Sequence, residues 1–332
     1  RERNSNLYFS LLYFVSQIFP THYKIEVSHL VNLFFSILTV FGIRKICVLF
    51  FNKDVGNISF LILFSFPIFF GHMAFNSKNT IIAFSHVWIL YLIFKYLKNQ
   101  NIEKKVNKYI IYISLLLALA TGIQLVFIGS LVPVFIFLIF DIFIFKKLIT
   151  KNFSIKKLFY DILKCFCYFY ILLIIFWIDT HSNIILRPFT FILEMFSNDY
   201  WLGWPYNLVN GEYFFSNEVP KNYIISNLFF KSPEYIFFCY IIFFYLFIKF
   251  PTFFKKEFKF FNYKLILFLF ILIYVNILIF IVPFPIYDGM RLFLWIIPYY
   301  CIIPSLTIYY ILKNYNKILS KIFGIVILTS VI

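Results

Sequence analysis

The chain alternates between apolar runs long enough to cross a bilayer and short connections rich in lysine. Runs of about spanning length fall at 28–50, 55–75, 79–97, 109–127, 129–145, 162–179, 234–250, 265–283 and 292–312, with a further apolar run at 322–332. At membrane depth no water is available to the backbone, so each N–H and C=O needs an internal partner, and helices supply one. Composition agrees. Hydrophobic residues make up 62% and charged residues 13%, with a mean hydropathy of +0.88, whereas soluble domains run at about half apolar and about a quarter charged. Too little polar surface remains to coat a water-facing globule. The expected fold is an all-α polytopic membrane protein, with a helix for each of these runs.

Charge fixes the expected orientation. When alternate connections are assigned to one side, starting at 44–54, that side holds 22 Lys/Arg against 5 Asp/Glu, a net +17. The other side holds 8 against 9, a net −1. Cytoplasmic loops carry the Lys/Arg excess, so the lysine-rich side is read as cytoplasmic. The basic balance is thus a topology signal and not a nucleic-acid footprint. Cys47, Cys165, Cys167, Cys239 and Cys301 all sit in or beside apolar runs and read as small apolar residues rather than metal ligands.

The opposite, extracytoplasmic side is uneven. Its connection at 180–233 is far longer than the rest and mixes Trp, Tyr, Pro, Gly and acids, including Trp204, Asn210-Gly211 and Tyr223. That mixture fits a partly embedded loop over a cavity, with short helices of its own. Two shorter turns share this face. One is Pro67-Ile-Phe-Phe-Gly71-His72-Met-Ala-Phe-Asn76-Ser-Lys78-Asn79; the other is Pro283-Phe-Pro-Ile-Tyr287-Asp288-Gly289-Met-Arg291. Each sets one cation, Lys78 or Arg291, at the membrane lip. A lysine there can simply snorkel to the headgroups. Arg291 is more telling, because the chain has only five arginines and a guanidinium fork matches phosphate bidentately.

These residues resemble a family. Gly71-His72-Met-Ala-Phe-Asn76-Ser-Lys78-Asn79 is similar to the Gly-His-x-x-x-Asn-Pro-Lys-Asp turn of bacterial family 39 glycosyltransferases, a GT-C group. That group is related to dolichyl-phosphate-mannose–protein mannosyltransferases and to the lipid A aminoarabinose transferase. Tyr287-Asp288-Gly289-Met290-Arg291-Leu292-Phe293, followed by Pro298, resembles its Tyr-Asp-Gly-Trp-Arg-His-x-x-Phe…Pro segment. His29-Leu-Val-Asn32 matches an early span, and Asn210-Gly211…Pro220…Tyr223…Pro233 matches the long loop. The sequence departs from the family at Ser77, Asn79, Met290, Leu292 and Gln124.

The resemblance implies a GT-C-like bundle with about ten transmembrane helices, residues 1–332 being one transmembrane glycosyltransferase domain cut short at both ends and 180–233 its extracytoplasmic loop. It further implies a bacterial inner-membrane enzyme with its site on the extracytoplasmic face. Such an enzyme passes a sugar, with inversion, from a polyprenyl phosphate to a hydroxyl on a protein, lipid or glycan, using no soluble cofactor or metal. Its donor-phosphate roles fall to Lys78, Arg291, His72 and Asn76, and sugar or acceptor roles to Asp288, Tyr287, Trp204 and Tyr223. The family's catalytic acid belongs to the first extracytoplasmic loop, expected upstream of Arg1. Two rival readings remain: a secondary transporter, and an envelope polysaccharide ligase or polymerase. A transporter tends to keep ionisable groups at mid-membrane, and here the run centres are nearly free of charge.

Overall fold

The computed structural model describes residues 6–76, 78–150, 152–177, 181–195, 206–216, 218–281, 286–315 and 324. Trp204 and, apart from Gly324, the 322–332 run lie outside them. The helices are α1 (Asn6–Ser16), α2 (Lys24–Phe50), α3 (Lys53–Ser65), α4 (Pro67–His72), α5 (Asn79–Asn99) and α6 (Glu103–Ile123). They continue as α7 (Phe127–Ser130), α8 (Val132–Phe140), α9 (Ile155–Phe176), α10 (Arg187–Met195), α11 (Tyr223–Lys231) and α12 (Glu234–Lys249). The last are α13 (Pro251–Glu257), α14 (Phe261–Ile281), α15 (Ile297–Tyr300) and α16 (Ile302–Asn314), with a 3₁₀ turn over Arg291–Ile296 leading into α15. A two-stranded antiparallel hairpin, β1 (Tyr206–Val209) and β2 (Glu212–Phe215), interrupts the long connection.

The protein is an all-α membrane protein. Among the described residues six helical segments are long and apolar enough to span: Thr21–Phe50, Asn79–Asn99, Glu103–Ile123, Ile155–Phe176, Phe261–Ile281 and Arg291–Asn314. The pair α11 and α12, bent by 111° at Ser232-Pro233, makes a seventh if counted as one span. Several apolar runs therefore do not form one continuous helix each. The 55–75 run breaks at Phe66, whose extended backbone (φ −71°, ψ 116°) precedes Pro67, because proline disfavours helical geometry in the residue before it. The 129–145 run splits into α7, α8 and a π turn at Asp141–Phe145 that ends on Lys146 in the left-handed region (φ 51°). Conversely, α1 is a short apolar helix that the spacing of runs did not announce.

Around this plan α2 packs on α3 and α5, α5 on α6, and α6 on α9, while α16 sits between α3 and α12. The α2–α5 crossing is close at Gly42, where a Cβ would meet Val87 Cγ1 at 2.7 Å and Trp88 Nε1 at 2.9 Å. Nearly all of the Arg291–Asn314 segment is enclosed, whereas most of α9 faces outward. A polar knot fixes the interior. His86 of α5 shares hydrogen bonds with the Tyr299 hydroxyl (2.7 Å) and the Ser130 carbonyl (3.1 Å), and packs at a tilt against Trp295 with ring centres 4.5 Å apart. Both ring nitrogens are thereby engaged, so this buried histidine ties α5, α7 and α15 together.

The lysine-rich connections meet at one end of the bundle. Lys98 and Lys264 donate to the Leu49 and Phe50 carbonyls at 3.4 and 2.6 Å. Gln100 bonds the Ser154 amide and carbonyl at 2.7 and 2.9 Å. Four connections assigned to one side by charge are thus joined directly.

Candidate functional site

At the opposite end, two turns and the long connection come together. The first turn follows α4 and is held from below by a polar stripe on α2. His29 Nδ1 and Asn32 Nδ2 both lie 3.1 Å from the Ala74 carbonyl, and Ser36 donates to the Met73 carbonyl at 3.0 Å. These residues share one helix face by their spacing. Tyr8 of α1 braces the stripe, its hydroxyl 3.1 Å from Asn32 Oδ1 and 3.2 Å from Ser28 Oγ. Asn76 then starts α5: its Oδ1 accepts from Asn79 Nδ2 at 3.1 Å, and its carbonyl from Thr80 at 3.1 Å. The Asn76 Nδ2 group is buried with no hydrogen-bond partner among the described residues. Native proteins leave few such donors unmatched without a reason.

The second turn is built by two successive left-handed residues, Asp288 (φ 58°) and Gly289 (φ 61°). Aspartate tolerates this region better than most side chains. Gly289 has a second reason to be glycine: a Cβ there would collide with Lys231 Nζ and lie 3.2 Å from Asn227 Oδ1. The ammonium at the end of α11 therefore rests directly against the Gly289 backbone. Within the turn, Arg291 Nη1 donates to Asp288 Oδ2 at 2.8 Å, both groups being exposed at the surface. Asp288 thus holds one edge of the guanidinium, and among the described residues no other acceptor is hydrogen-bonded to it.

His72 closes the group. Burial and the neighbouring Arg291 and Lys231 cations hold its imidazole below its ordinary value, with Asp288 pulling weakly the other way. The ring is therefore neutral near pH 7 and available as a hydrogen-bond donor. The hairpin supports the floor: Asn207 Nδ2 donates to the Tyr223 hydroxyl (3.0 Å) and to the Ile286 carbonyl (3.2 Å), while the Ile286 amide donates to the Ser216 carbonyl (2.8 Å).

The structure thus brings His72, Asp288 and Arg291 into one group. Tyr223 stands beneath them, 1% exposed, so it braces the turn rather than facing an open cavity. Tyr287 is half-buried beside the group. Lys78 takes a separate place in front of α5, with its Nζ 5.7 Å from the centre of the Phe9 ring on α1. Trp204 lies outside the described residues. Lys231 was not singled out from sequence, although it is one of only 8 cations on that side. Among the described residues no group of three or more His, Cys, Asp or Glu is placed to hold a metal.

No protein-family model matches the chain, and no curated protein matches it either. Among solved structures it is similar to ArnT from Cupriavidus metallidurans bound to undecaprenyl phosphate, at a TM-score of 0.54 and 12% sequence identity. The match covers 91% of this chain and 49% of that one, so the chain spans about half the length of the structure it resembles. At this identity the likeness is one of fold alone, that of a polytopic helical membrane protein.

Proposed function

We propose that the chain forms the donor-phosphate end of an inverting glycosyltransferase of the family 39 kind, which moves a sugar from a polyprenyl phosphate to an acceptor hydroxyl. The observation that carries this reading is the cluster of Arg291, Lys231 and His72 around the Asp288–Gly289 turn, on a fold similar to that of ArnT. Cleaving the sugar–phosphate bond returns negative charge to the lipid phosphate. Donors fixed in advance where that charge develops lower the barrier most effectively.

In this mechanism Arg291, steadied by Asp288, grips two phosphate oxygens, and Lys231 adds a second point charge. His72 donates a hydrogen bond without adding charge, and the unmatched Asn76 amide offers a further donor. Lys78 approaches from the α5 side. Roles toward the sugar or the acceptor go to Tyr287, to the free edge of Asp288 and, by the sequence resemblance alone, to Trp204. The acceptor hydroxyl loses its proton to a carboxylate base, a role given to no residue named here. The phosphate group of the donor lies at the extracytoplasmic face of a bacterial inner membrane.

The test is sugar transfer from a radiolabelled polyprenyl-phosphate sugar by the full-length protein in membranes. The proposal expects transfer that collapses in Arg291→Ala. Full activity in a combined Arg291→Ala, Lys231→Ala variant overturns it, and so does uptake of a free solute without any transfer.

A further inference from the structure

The lysine-rich end holds a cavity that sugar transfer does not use. It has a volume of about 270 Å³ and is lined by Leu49, Phe50, Phe94, Lys98, Lys147, Leu148, Lys259, Phe260 and Lys264. Its four lysines come from three different connections of the chain, Lys259 and Lys264 sharing one. Lys98 and Lys264 are anchored on the Leu49 and Phe50 carbonyls respectively, the last two residues of α2, where a helix favours cations. Lys147 lies over the Tyr263 ring at 4.9 Å, and Lys259 over the Phe260 ring at 5.0 Å. Among the described residues none of the four is ion-paired with a carboxylate. Two acids on neighbouring stretches are engaged elsewhere: buried Asp141 accepts the Lys147 and Leu148 amides at 3.0–3.3 Å, and Glu257 pairs with Lys313.

We infer that this cavity is a binding site for the phosphate of an anionic phospholipid of the cytoplasmic leaflet. Lysines that only mark topology spread out along their loops, since like charges repel. Four brought to one concave site, and steadied by carbonyls and ring faces rather than by acids, leave a charge deficit that an anion fills. The apolar half of the lining, from Leu49 to Phe260, places the site where charged connections meet spans, which is the level of headgroups. The volume is smaller than the roughly 300–1,000 Å³ of pockets that enclose whole small molecules, so it seats a headgroup while the acyl chains stay in the bilayer. Basic pockets between helices on the cytoplasmic side are suited to this kind of lipid. The inference depends on the orientation given by the lysine distribution and is independent of the sugar-transfer reading.

The experiment is native mass spectrometry of the full-length protein in detergent, titrated separately with phosphatidylglycerol, phosphatidylcholine and inorganic phosphate. Phosphatidylglycerol is expected to bind selectively, and the double variant Lys147→Gln, Lys259→Gln to weaken it about 25-fold, from about fivefold per lysine. Those two lysines hold no backbone carbonyl, so the fold should survive. Lys147→Arg with Lys259→Arg keeps the charge and should keep binding, and loss of binding in that variant too would mark the Gln result as structural perturbation and overturn the proposal. Displacement of the lipid by millimolar inorganic phosphate supports recognition through the phosphate. Equal binding of the two lipids, undiminished binding by the Gln variant, or binding of inorganic phosphate with no binding of phosphatidylglycerol each overturns the proposal.

Discussion

Both ends of the bundle gather cations, but they hold them in different ways. At the His72 end the charges are few and mixed. Arg291 is paired with Asp288, Lys231 is seated on Gly289, and the turn that carries them needs two left-handed residues. At the other end four lysines line one cavity, resting on helix-end carbonyls and aromatic faces. The first arrangement fixes where each cation points. The second fixes only how much charge is present. Fixed direction is what a developing charge in a reaction requires, whereas accumulated charge suffices to hold a diffuse anionic surface.

The sharpest way to break this contrast is at Arg291. Arg291→Ala is expected to remove about 3–4 kcal/mol of transition-state stabilisation, the range for a preorganised anion-stabilising donor. Arg291→Lys should restore only part, because the fork is lost. Lys259→Gln at the other end should leave turnover unchanged. Single-turnover transfer rates check all three.

Lys231→Ala comes next. It should cost about 1.5–3 kcal/mol, as for one charge-assisted hydrogen bond, and be visible in kcat/KM for the polyprenyl donor. Gly289→Ala tests whether the same ammonium depends on its seat. The left-handed backbone costs a methyl-bearing residue about 1–2 kcal/mol, and the new Cβ evicts Lys231. Melting temperature should fall, and activity should fall no further when Lys231→Ala is added.

The smallest effect is the pH dependence of stability through His72. Its value is lowered in the folded protein relative to about 6.5 unfolded, so the unfolded chain takes up protons first as pH falls. Its contribution is complete above pH 6.5 and is lost progressively as pH drops below that toward the folded value. Thermal unfolding between pH 5 and 8 should show this slope, and His72→Gln should flatten it.

Much of the architecture was legible because lipid imposes one pattern on every span. The alternation of lysine-rich connections anticipated that Lys98, Lys147, Lys259 and Lys264 would meet at one end. The Gly71–Asn79 and Tyr287–Arg291 turns were legible as chemistry because glycine, asparagine and lone cations are rare in this phenylalanine-rich chain. The break at Pro67 was hidden, since hydropathy averages over a proline that the backbone does not ignore. The hairpin was readable but not read: Asn210 and Gly211, with φ of 52° and 89°, form the pair that two-residue turns favour. Lys231 was missed for a different reason. Its importance comes from touching Gly289, a contact across 58 residues of chain that no local pattern announces.

The stripe on α2 has a further consequence, one of bilayer thickness. A helix of 27 residues is about 40 Å long, against a hydrocarbon core of about 30 Å. Such a helix accommodates the difference by tilt or protrusion. Leu30, Phe34, Ile37 and Phe41 are exposed on α2, while His29, Asn32 and Ser36 grip the turn that leads to Asn76. The height of that rim is therefore geared to how α2 leans, and the thickness of the surrounding membrane becomes a mechanical input to the geometry around His72.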